Sequence, residues 1–315
     1  MRRKLSAIVL CISLIAAMFV GVPSAHAVSN GDSSVLRVRL SAGSGSRLQI
    51  NVDGNYSVGG TVLDRQLYTI RMESGTLKLY YGSRVIAAGA AIYLSQHAAT
   101  TANNFIWLDN QLHGLRRYLG SLNFFISTTD VAGKSCSPYI CVVNDIDIEQ
   151  YLWGVVPNEM SDSWPAEALK AQAVAARNYA MKRLGKGSSY DITDDSSRDQ
   201  VYKGYTPSAT NSIAAVNATA GQVLTYGGNI IDAYYSSDNG GWTELPCHRW
   251  GGGEDWPYYV VAQDPYDAAN TSSPFETIFL PASNLETSLG VYTATTNYNS
   301  GSGPNAANAI RYIKQ

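Results

Sequence analysis

Three features of the sequence predict an α+β fold, with a β-rich N-terminal part packed beside a mixed α/β core that contains one long helix. Between residues 28 and 146, VLRVRL, RLQINV, LYTIRM, LKLYY and SLNFFI alternate or cluster β-branched and aromatic residues, with Gly, Ser, Asn and Asp between them. After YICVVN, itself strand-like, apolar residues recur at helical rather than alternate spacing. No period of 20–50 residues repeats, which excludes a solenoid or propeller. The 315 residues are 45% apolar, enough for a sizeable core, and only 15% charged, against roughly 25% in an average domain. That balance excludes a disordered chain and a charge-laced helical array.

The elements follow in order. MRRK, the apolar run LSAIVLCISLIAAMFVGV and the small residues of PSAHA form the three parts of a secretory signal, with cleavage expected after Ala27. The apolar run is also long enough to serve as a membrane anchor if it is not cut. Without Arg2, Arg3 and Lys4, 20 of the 23 basic residues remain against 25 acidic ones. No excess of Lys and Arg is left to displace nucleic-acid counterions, so no nucleic-acid partner is expected. Residues 28–146 form the β-rich part, within which AAGAAIYLSQHAATTANN reads equally as helix or loop. Residues 147–300 form the core and 301–315 a tail.

In the core, Asp147 can cap a helix and Gln150 can return the bond. Ile148, Leu152 and Val155 share its face until Pro157 stops it. The long helix spans about 165–184, with Ser163 as cap, Leu169, Ala173, Ala176 and Ala180 as buried stripe, and Gly185 past its end. Lys182 and Arg183 fall in its last turn, where the dipole favours cations. A third helix covers 211–219. QVLTY and IIDAYYSS read as strands leading to the turn DNGGWTE.

The chemistry-bearing residues are few. The mature histidines are His97, His113 and His248, and none sits in an HExxH or GxSxG setting; GxGxxG and GxxxxGK[ST] are also missing. Cys136, Cys141 and Cys247 leave an odd thiol, and a Cys136–Cys141 disulfide is left open by the sequence. Cys247-His248 is too isolated for a metal site, so no metal or other cofactor is expected. Carboxylate chemistry remains. Glu159 lies in the connector PNEMSDSW with Trp153, Val155, Val156, Met160 and Trp164 close in sequence. Apolar surroundings would disfavour its charged form, as a general acid requires, whereas the following helix N-terminus would favour it. A plain capping role fits the position as well. Lys170 and Arg177 are placed on one face opposite the alanine stripe, with Glu167 in reach of Lys170. RDQVYKGY and YYSSDNGGWTE gather Asp199, Gln200, Tyr202, Ser236, Ser237, Asn239, Gly240, Gly241 and Thr243, groups that suit sugar recognition or ordinary turns. The 21 tyrosines divide between strand faces and sugar-stacking platforms in the same way.

The run IEQYLWGVVPNEMSDSWPAEALKAQAVAARNYAMKRL, then RDQVYKGY, then AYYSSDNGGWTE, resembles the sporulation stage II protein D family, the SpoIID/LytB domain, over roughly residues 35–300. RYLGSL and VVNDIDIEQYL resemble its lead-in. The resemblance implies a secreted or membrane-anchored protein outside the cell, acting on peptidoglycan glycan strands. Its implied activity is that of a lytic transglycosylase, a carbon–oxygen lyase that leaves 1,6-anhydro ends. The alternatives are a non-catalytic wall-binding enhancer of an amidase, or a muramidase pairing Glu159 with Asp199, Asp238 or Glu244. By matching position, Glu159 is the catalytic glutamate. Lys170, Gln172, Arg177, Asp199, Gln200 and Tyr202 would hold the glycan, with Ser236 to Thr243 opposite. This chain departs from the family at Ser236, where many members carry histidine, and at its early C-terminal stop. Some members bind zinc near that point; here Cys247-His248 is all that remains of such a cluster.

Overall fold

The computed structural model describes residues 24–27, 35–97, 104–110, 112–130, 133–236, 239, 242–247 and 256–264. The chain divides into two compact units, Ser24–Tyr234 and a second made of Met1–Pro23 with Tyr235–Gln315. Residues on both sides of position 147 belong to the first unit, which is mixed α+β with a β-rich N-terminal part, as the alternating segments require.

Two sheets form that part. One has six strands: β3 (Arg47–Asp53), β6 (Leu67–Glu73), β7 (Thr76–Tyr81), β8 (Arg84–Gly89), β10 (Phe105–Asn110) and β11 (Gly114–Tyr118), in the order β11-β10-β3-β6-β7-β8. The other has seven: β2 (Val35–Ser44), β4 (Tyr56–Val58), β5 (Thr61–Leu63), β9 (Ala91–Gln96), β12 (Ser121–Thr129), β13 (Ser135–Asp147) and β14 (Ile192–Thr193), in the order β14-β2-β13-β12-β9-β4-β5. All pairs are antiparallel except β14 on β2. Alternation fixes which side is buried: β3 runs exposed and buried in strict turn, so Leu48, Ile50 and Val52 enter the core while Arg47, Gln49 and Asn51 face out. Leu122, Phe124, Ile92 and Leu94 of the second sheet join the same hydrophobic cluster. The ambiguous segment at 87–104 contributes β9, whose Ile92 and Leu94 are buried; residues 98–103 lie outside the described residues.

Strand β13 passes directly into helix α1 (Ile148–Glu159), capped by Asp147, whose Oδ1 accepts from the Glu149 and Gln150 N–H groups at 2.9 and 3.3 Å. Pro157 does not stop this helix. It falls in the last turn, where the missing N–H forfeits a single bond, so the helix continues to Glu159. Helix α2 (Ala166–Met181) is shorter than expected and has Pro165 at its cap; the Ser163 hydroxyl meets Ser161 Oγ at 3.0 Å instead. Helix α3 (Thr210–Ala218) follows, then β15 (Gln222–Tyr226) and β16 (Asn229–Ile230). The expected strand at IIDAYYSS is thus limited, among the described residues, to its first residue, Ile230. β15 pairs on its other side with β1 (Ser24–Ala27), the four residues before the expected cleavage point. No helix of the described residues is long and apolar enough to cross a membrane.

Cys136 and Cys141 are not bridged. Both lie on β13, one exposed and one buried. Five residues of extended chain separate their Cα atoms by about 16 Å, and a disulfide needs less than about 7 Å.

The helices are joined through Arg177, the largest fully buried side chain, 1% exposed. Its Nε and Nη2 hold Glu149 Oε1 and Oε2 at 2.8 and 2.7 Å, and its Nη1 donates to the Gln222 carbonyl at 3.1 Å. Glu149 Oε1 also accepts from the Gly221 N–H at 3.1 Å. One ion pair therefore fixes the start of α1, the middle of α2 and the entry to β15. Arg177→Met removes the cation and leaves Glu149 largely buried without it, an expected loss of about 3 kcal/mol in urea unfolding. A variant that kept parental stability and changed only glycan affinity would contradict this structural role.

Candidate active site

Glu159 is the last residue of α1, half-buried, with Met160 in extended conformation after it. Its Oε1 accepts a hydrogen bond from the Val201 N–H at 2.9 Å. Two influences oppose each other there. A helix C-terminus disfavours an anion, whereas the Val201 N–H stabilises one. The expected apolar enclosure is only partly present: Val155 and Val156 are fully buried in the core, Trp153 and Met160 pack against it, and Trp164 is 53% exposed.

Val201 is brought to Glu159 by the segment 199–205, which has no regular secondary structure and is held by its neighbours on every side. Asp199 Oδ2 accepts from Thr193 N and Oγ1, both at 2.9 Å, and Oδ1 accepts from the Tyr179 hydroxyl at 3.1 Å and pairs with Arg183 at 3.3 Å. Burial raises the Tyr179 hydroxyl pKa and the Asp199 charge adds to it, so Tyr179 remains a donor. Gln200, 2% exposed, accepts from the Tyr151 hydroxyl at 3.3 Å and donates to the Ala176 carbonyl at 3.3 Å. Tyr202, 1% exposed, donates to Asn144 Oδ1 at 2.9 Å, and its ring lies 4.9 Å from that of Tyr151 and 5.9 Å from that of Tyr118. Burial pushes the Tyr202 hydroxyl far above the ordinary tyrosine range. The Lys203 N–H donates to the Gly154 carbonyl at 3.2 Å and the Tyr205 N–H to the Arg117 carbonyl at 2.7 Å.

The expected sugar-binding residues thus divide. Asp199, Gln200 and Tyr202 converge on the Glu159 segment, but their polar atoms are spent within the protein. Arg177 lies on the buried side of α2 with the alanine stripe rather than opposite it. Lys170 is partly exposed and bonded to Glu167 at 2.7 Å. Gln172 is 8% exposed, and its Nε2 is buried with no protein partner. In the second unit, Asn239 Nδ2 donates to Asp264 Oδ2 at 3.0 Å, and Thr243 Oγ1 donates to the Val260 carbonyl at 2.7 Å and accepts from the Ala262 N–H at 2.8 Å. Ser236 is exposed; Ser237, Asp238, Gly240, Gly241 and His248 lie outside the described residues. Among the described residues no three His, Cys, Asp or Glu side chains assemble as a metal site. A cavity lined by Met72, Ser74, Gly75, Ala90, Ile126 and Pro138 belongs to the β-rich part and includes none of these candidates.

Two positions not singled out from the sequence shape the site. A Cβ on Gly154 would lie 2.6 Å from the Gly204 carbonyl and 2.6 Å from Tyr202 Cε2, so only glycine lets 199–205 close over α1. Asp162, in the turn after Glu159, caps α3 from outside: Oδ1 accepts from the Ser212 N–H at 2.7 Å and the backbone carbonyl from Asn211 Nδ2 at 3.0 Å. A glycine at helical spacing inside α1 was the available signal for the first; nothing local marked the second, whose partners lie 49 and 50 residues away.

The fold and site define a mixed α+β protein with a carboxylate anchored by backbone at a helix corner. Residues 137–226 match the family model described as Stage II sporulation protein, so that this stretch is similar to the SpoIID family. A stretch of 225 residues, 71% of the chain, is 36% identical to the amidase enhancer of Bacillus subtilis (strain 168) and covers 28% of that protein. Another of 165 residues is 30% identical to Stage II sporulation protein D of the same organism, covering 47% of each. An uncharacterized protein of Brachyspira hyodysenteriae is 40% identical over 136 residues, 42% of this chain and 34% of its own. The chain therefore spans between about a quarter and half of these relatives.

Gly154→Ala is expected to cost about 2 kcal/mol of stability by forcing 199–205 away from α1. Crystallography of the variant should show the Glu159–Val201 bond lengthened or lost. Asp162→Ala is expected to cost about 1 kcal/mol through the lost cap. Desolvation pulls the Asp162 carboxyl up, but the hydrogen bonds from Ser212 and Asn211 outweigh it and hold it below the usual aspartate range. A lowered folded-state pKa gives stability that is present above the unfolded value near 3.9 and lost as pH falls through the folded one. The difference between parent and variant in urea unfolding should accordingly be full at pH 6 and narrow below about pH 4.

Proposed function

We propose that the protein is a cell-wall protein that acts on peptidoglycan as a lytic transglycosylase, with Glu159 as sole acid and base. The observation that carries this reading is the placement of Glu159: half-buried at the end of α1, accepting from the Val201 N–H, within a segment the SpoIID family model covers. Protonated Glu159 gives its proton to the glycosidic oxygen between N-acetylmuramic acid and N-acetylglucosamine, and the C1–O bond breaks. The resulting carboxylate takes the proton of the muramic C6 hydroxyl, whose oxygen bonds to C1 and closes the 1,6-anhydro ring. The nucleophile belongs to the substrate, so no second carboxylate is needed, in contrast to hydrolytic glycosidases. Asp199 supports this over a two-carboxylate muramidase, because both its oxygens are already committed to Thr193, Tyr179 and Arg183. Gln172 and Lys170 remain candidates for holding the glycan; Arg177, Gln200 and Tyr202 act by fixing the frame. In this reading the protein works outside the cell, after cleavage at Ala27 or anchored by the uncut segment.

The relative named amidase enhancer supports a second reading, a non-catalytic module that binds glycan and activates a wall amidase. Mass analysis of purified glycan strands after incubation separates them. Anhydro ends are expected; reducing ends would indicate hydrolysis, and intact strands binding alone. Glu159→Gln preserves size and the Val201 contact but removes the acid, so turnover should fall at least about 100-fold. Turnover at the parental rate would remove Glu159 from the mechanism.

A further inference from the structure

We propose that Lys203 and the side chains beside it form a binding subsite for a carboxylate-bearing N-acetyl sugar, reaching along α1 from Glu159. This rests on the peptidoglycan reading above and adds residues that would hold the sugar. Segment 201–205 runs against α1 in the opposite direction, and its contacts fall in order. The Val201 N–H meets Glu159, the Lys203 N–H meets the Gly154 carbonyl, and the Tyr205 ring meets that of Trp153, with 6.1 Å between centroids. Burial alternates along the segment: Tyr202 and Gly204 are buried, whereas Val201, Lys203 and Tyr205 keep part of their surface open. From Trp153 to Glu159 the helix advances about 9 Å, a length comparable to a disaccharide. The strip therefore leads from the candidate acid, past one cation, to a pair of aromatic rings.

The polar members of the strip keep capacity that the fold does not use. Lys78, Lys170 and Lys182 are ion-paired, whereas among the described residues Lys203 has no carboxylate partner. The Asn158 Nδ2 donates to the same Gly154 carbonyl at 2.8 Å, so Asn158 stands beside Lys203, and its Oδ1 meets no partner among the described residues. Trp153 Nε1 donates to Asn217 Oδ1 at 3.0 Å, which fixes the indole and leaves the Nδ2 of that exposed α3 residue to donate elsewhere. Other charges near the crossing are engaged. Asp162, in the turn after Glu159, accepts from the Ser212 N–H, and the Arg117 guanidinium lies 4.5 and 5.2 Å from the Trp107 and Phe105 rings. An ammonium binds a carboxylate through charge-assisted hydrogen bonds, amides pair with acetamido groups, and half-open aromatic rings pack on the apolar face of a sugar. The muramic residue of peptidoglycan presents all three features. Its carboxylate is that of the lactyl ether on bare strands or one on the stem peptide.

The bond from Lys203 to α1 is made by its backbone, so Lys203→Gln is expected to unfold in urea as the parent does. Binding is read in the full chain carrying Glu159→Gln, by calorimetric titration with soluble peptidoglycan oligosaccharides. Adding Lys203→Gln should lower affinity about tenfold, and Lys203→Arg in its place should keep it within about threefold of that background. Oligosaccharides whose carboxyl groups have been converted to amides should bind both proteins alike. Strands with and without stem peptides identify the source of the charge. A Lys203 effect confined to bare strands assigns the lactyl carboxylate, one confined to stem-bearing strands a stem carboxylate, and either supports the subsite. With Glu159 intact, Lys203→Gln should raise KM about tenfold and leave kcat within about twofold, as loss of uniform binding requires. Unchanged affinity for both kinds of strand, an equal loss on amidated oligosaccharides, or Lys203→Arg binding no better than Lys203→Gln overturns the proposal. Binding that depends on Lys203 in a protein that yields no anhydro ends would sink the enzymatic reading and leave the subsite standing.

Discussion

Much of the structure depends on one close approach, the crossing of residues 199–205 over α1 at Gly154. There the chain runs against the helix with a ring and a carbonyl where a side chain would otherwise stand. Because the approach is that close, the Lys203 N–H reaches the Gly154 carbonyl and the Val201 N–H reaches Glu159. Gly204 continues the path in left-handed conformation at φ 68°, where a Cβ would collide with the Arg117 carbonyl. The helix corner, the edge of the six-stranded sheet and the candidate acid are thus located by the same few residues.

An irregular segment so deeply packed must satisfy its polar groups without a ladder, and that requirement explains its composition. Tyr202 reaches Asn144, whose own Nδ2 donates to the Leu119 and Ser121 carbonyls at 2.8 and 3.1 Å. Gln200 spans Tyr151 of α1 and Ala176 of α2. Asp199 neutralises Arg183 while ordering Thr193 on β14. Farther along the same connection, Asp191 pairs with Arg37 of β2 at 2.6 Å, and Asp194 accepts from Ser41. The polar residues of 191–202 fasten a connection whose only regular stretch is β14, tying it to β2, β13, α1 and α2.

The architecture was largely legible in the sequence because it rests on local periodicity. Alternation in RLQINV and LYTIRM specifies a one-sided sheet, and Asp147 announces the start of α1 through the N–H groups it caps. Boundaries were less legible where two rules compete: Pro157 is a helix breaker in the interior but nearly harmless in a last turn, and Ser163 found a partner in Ser161 instead of capping α2. The disulfide question was decided by a long-range fact, the extension of β13 through both cysteines. The site was legible only in outline. Glu159 stood out by its position between helices, but nothing in the order of residues distinguishes an Arg177 that meets solvent from one that meets Glu149, since Glu149 lies 28 positions away.

That distinction governs how the residues around Glu159 act. Asp199, Gln200, Tyr202 and Arg177 are polar and lie within the stretch that matches the family model, yet their atoms are occupied within the protein. Gln200 and Tyr202 keep 199–205 against Tyr151 of α1, and so keep a donor 2.9 Å from one oxygen of Glu159. The alignment of that carboxylate is only as firm as the loop that carries the donor. Loss of turnover on altering Tyr202 or Gln200 would therefore mean a displaced Val201, accompanied by loss of stability, and not a missing sugar contact. Substrate contacts belong to groups with unspent hydrogen-bonding capacity. On α2, Gln172 keeps a buried amide nitrogen that no protein acceptor satisfies, a cost that the packing around it carries.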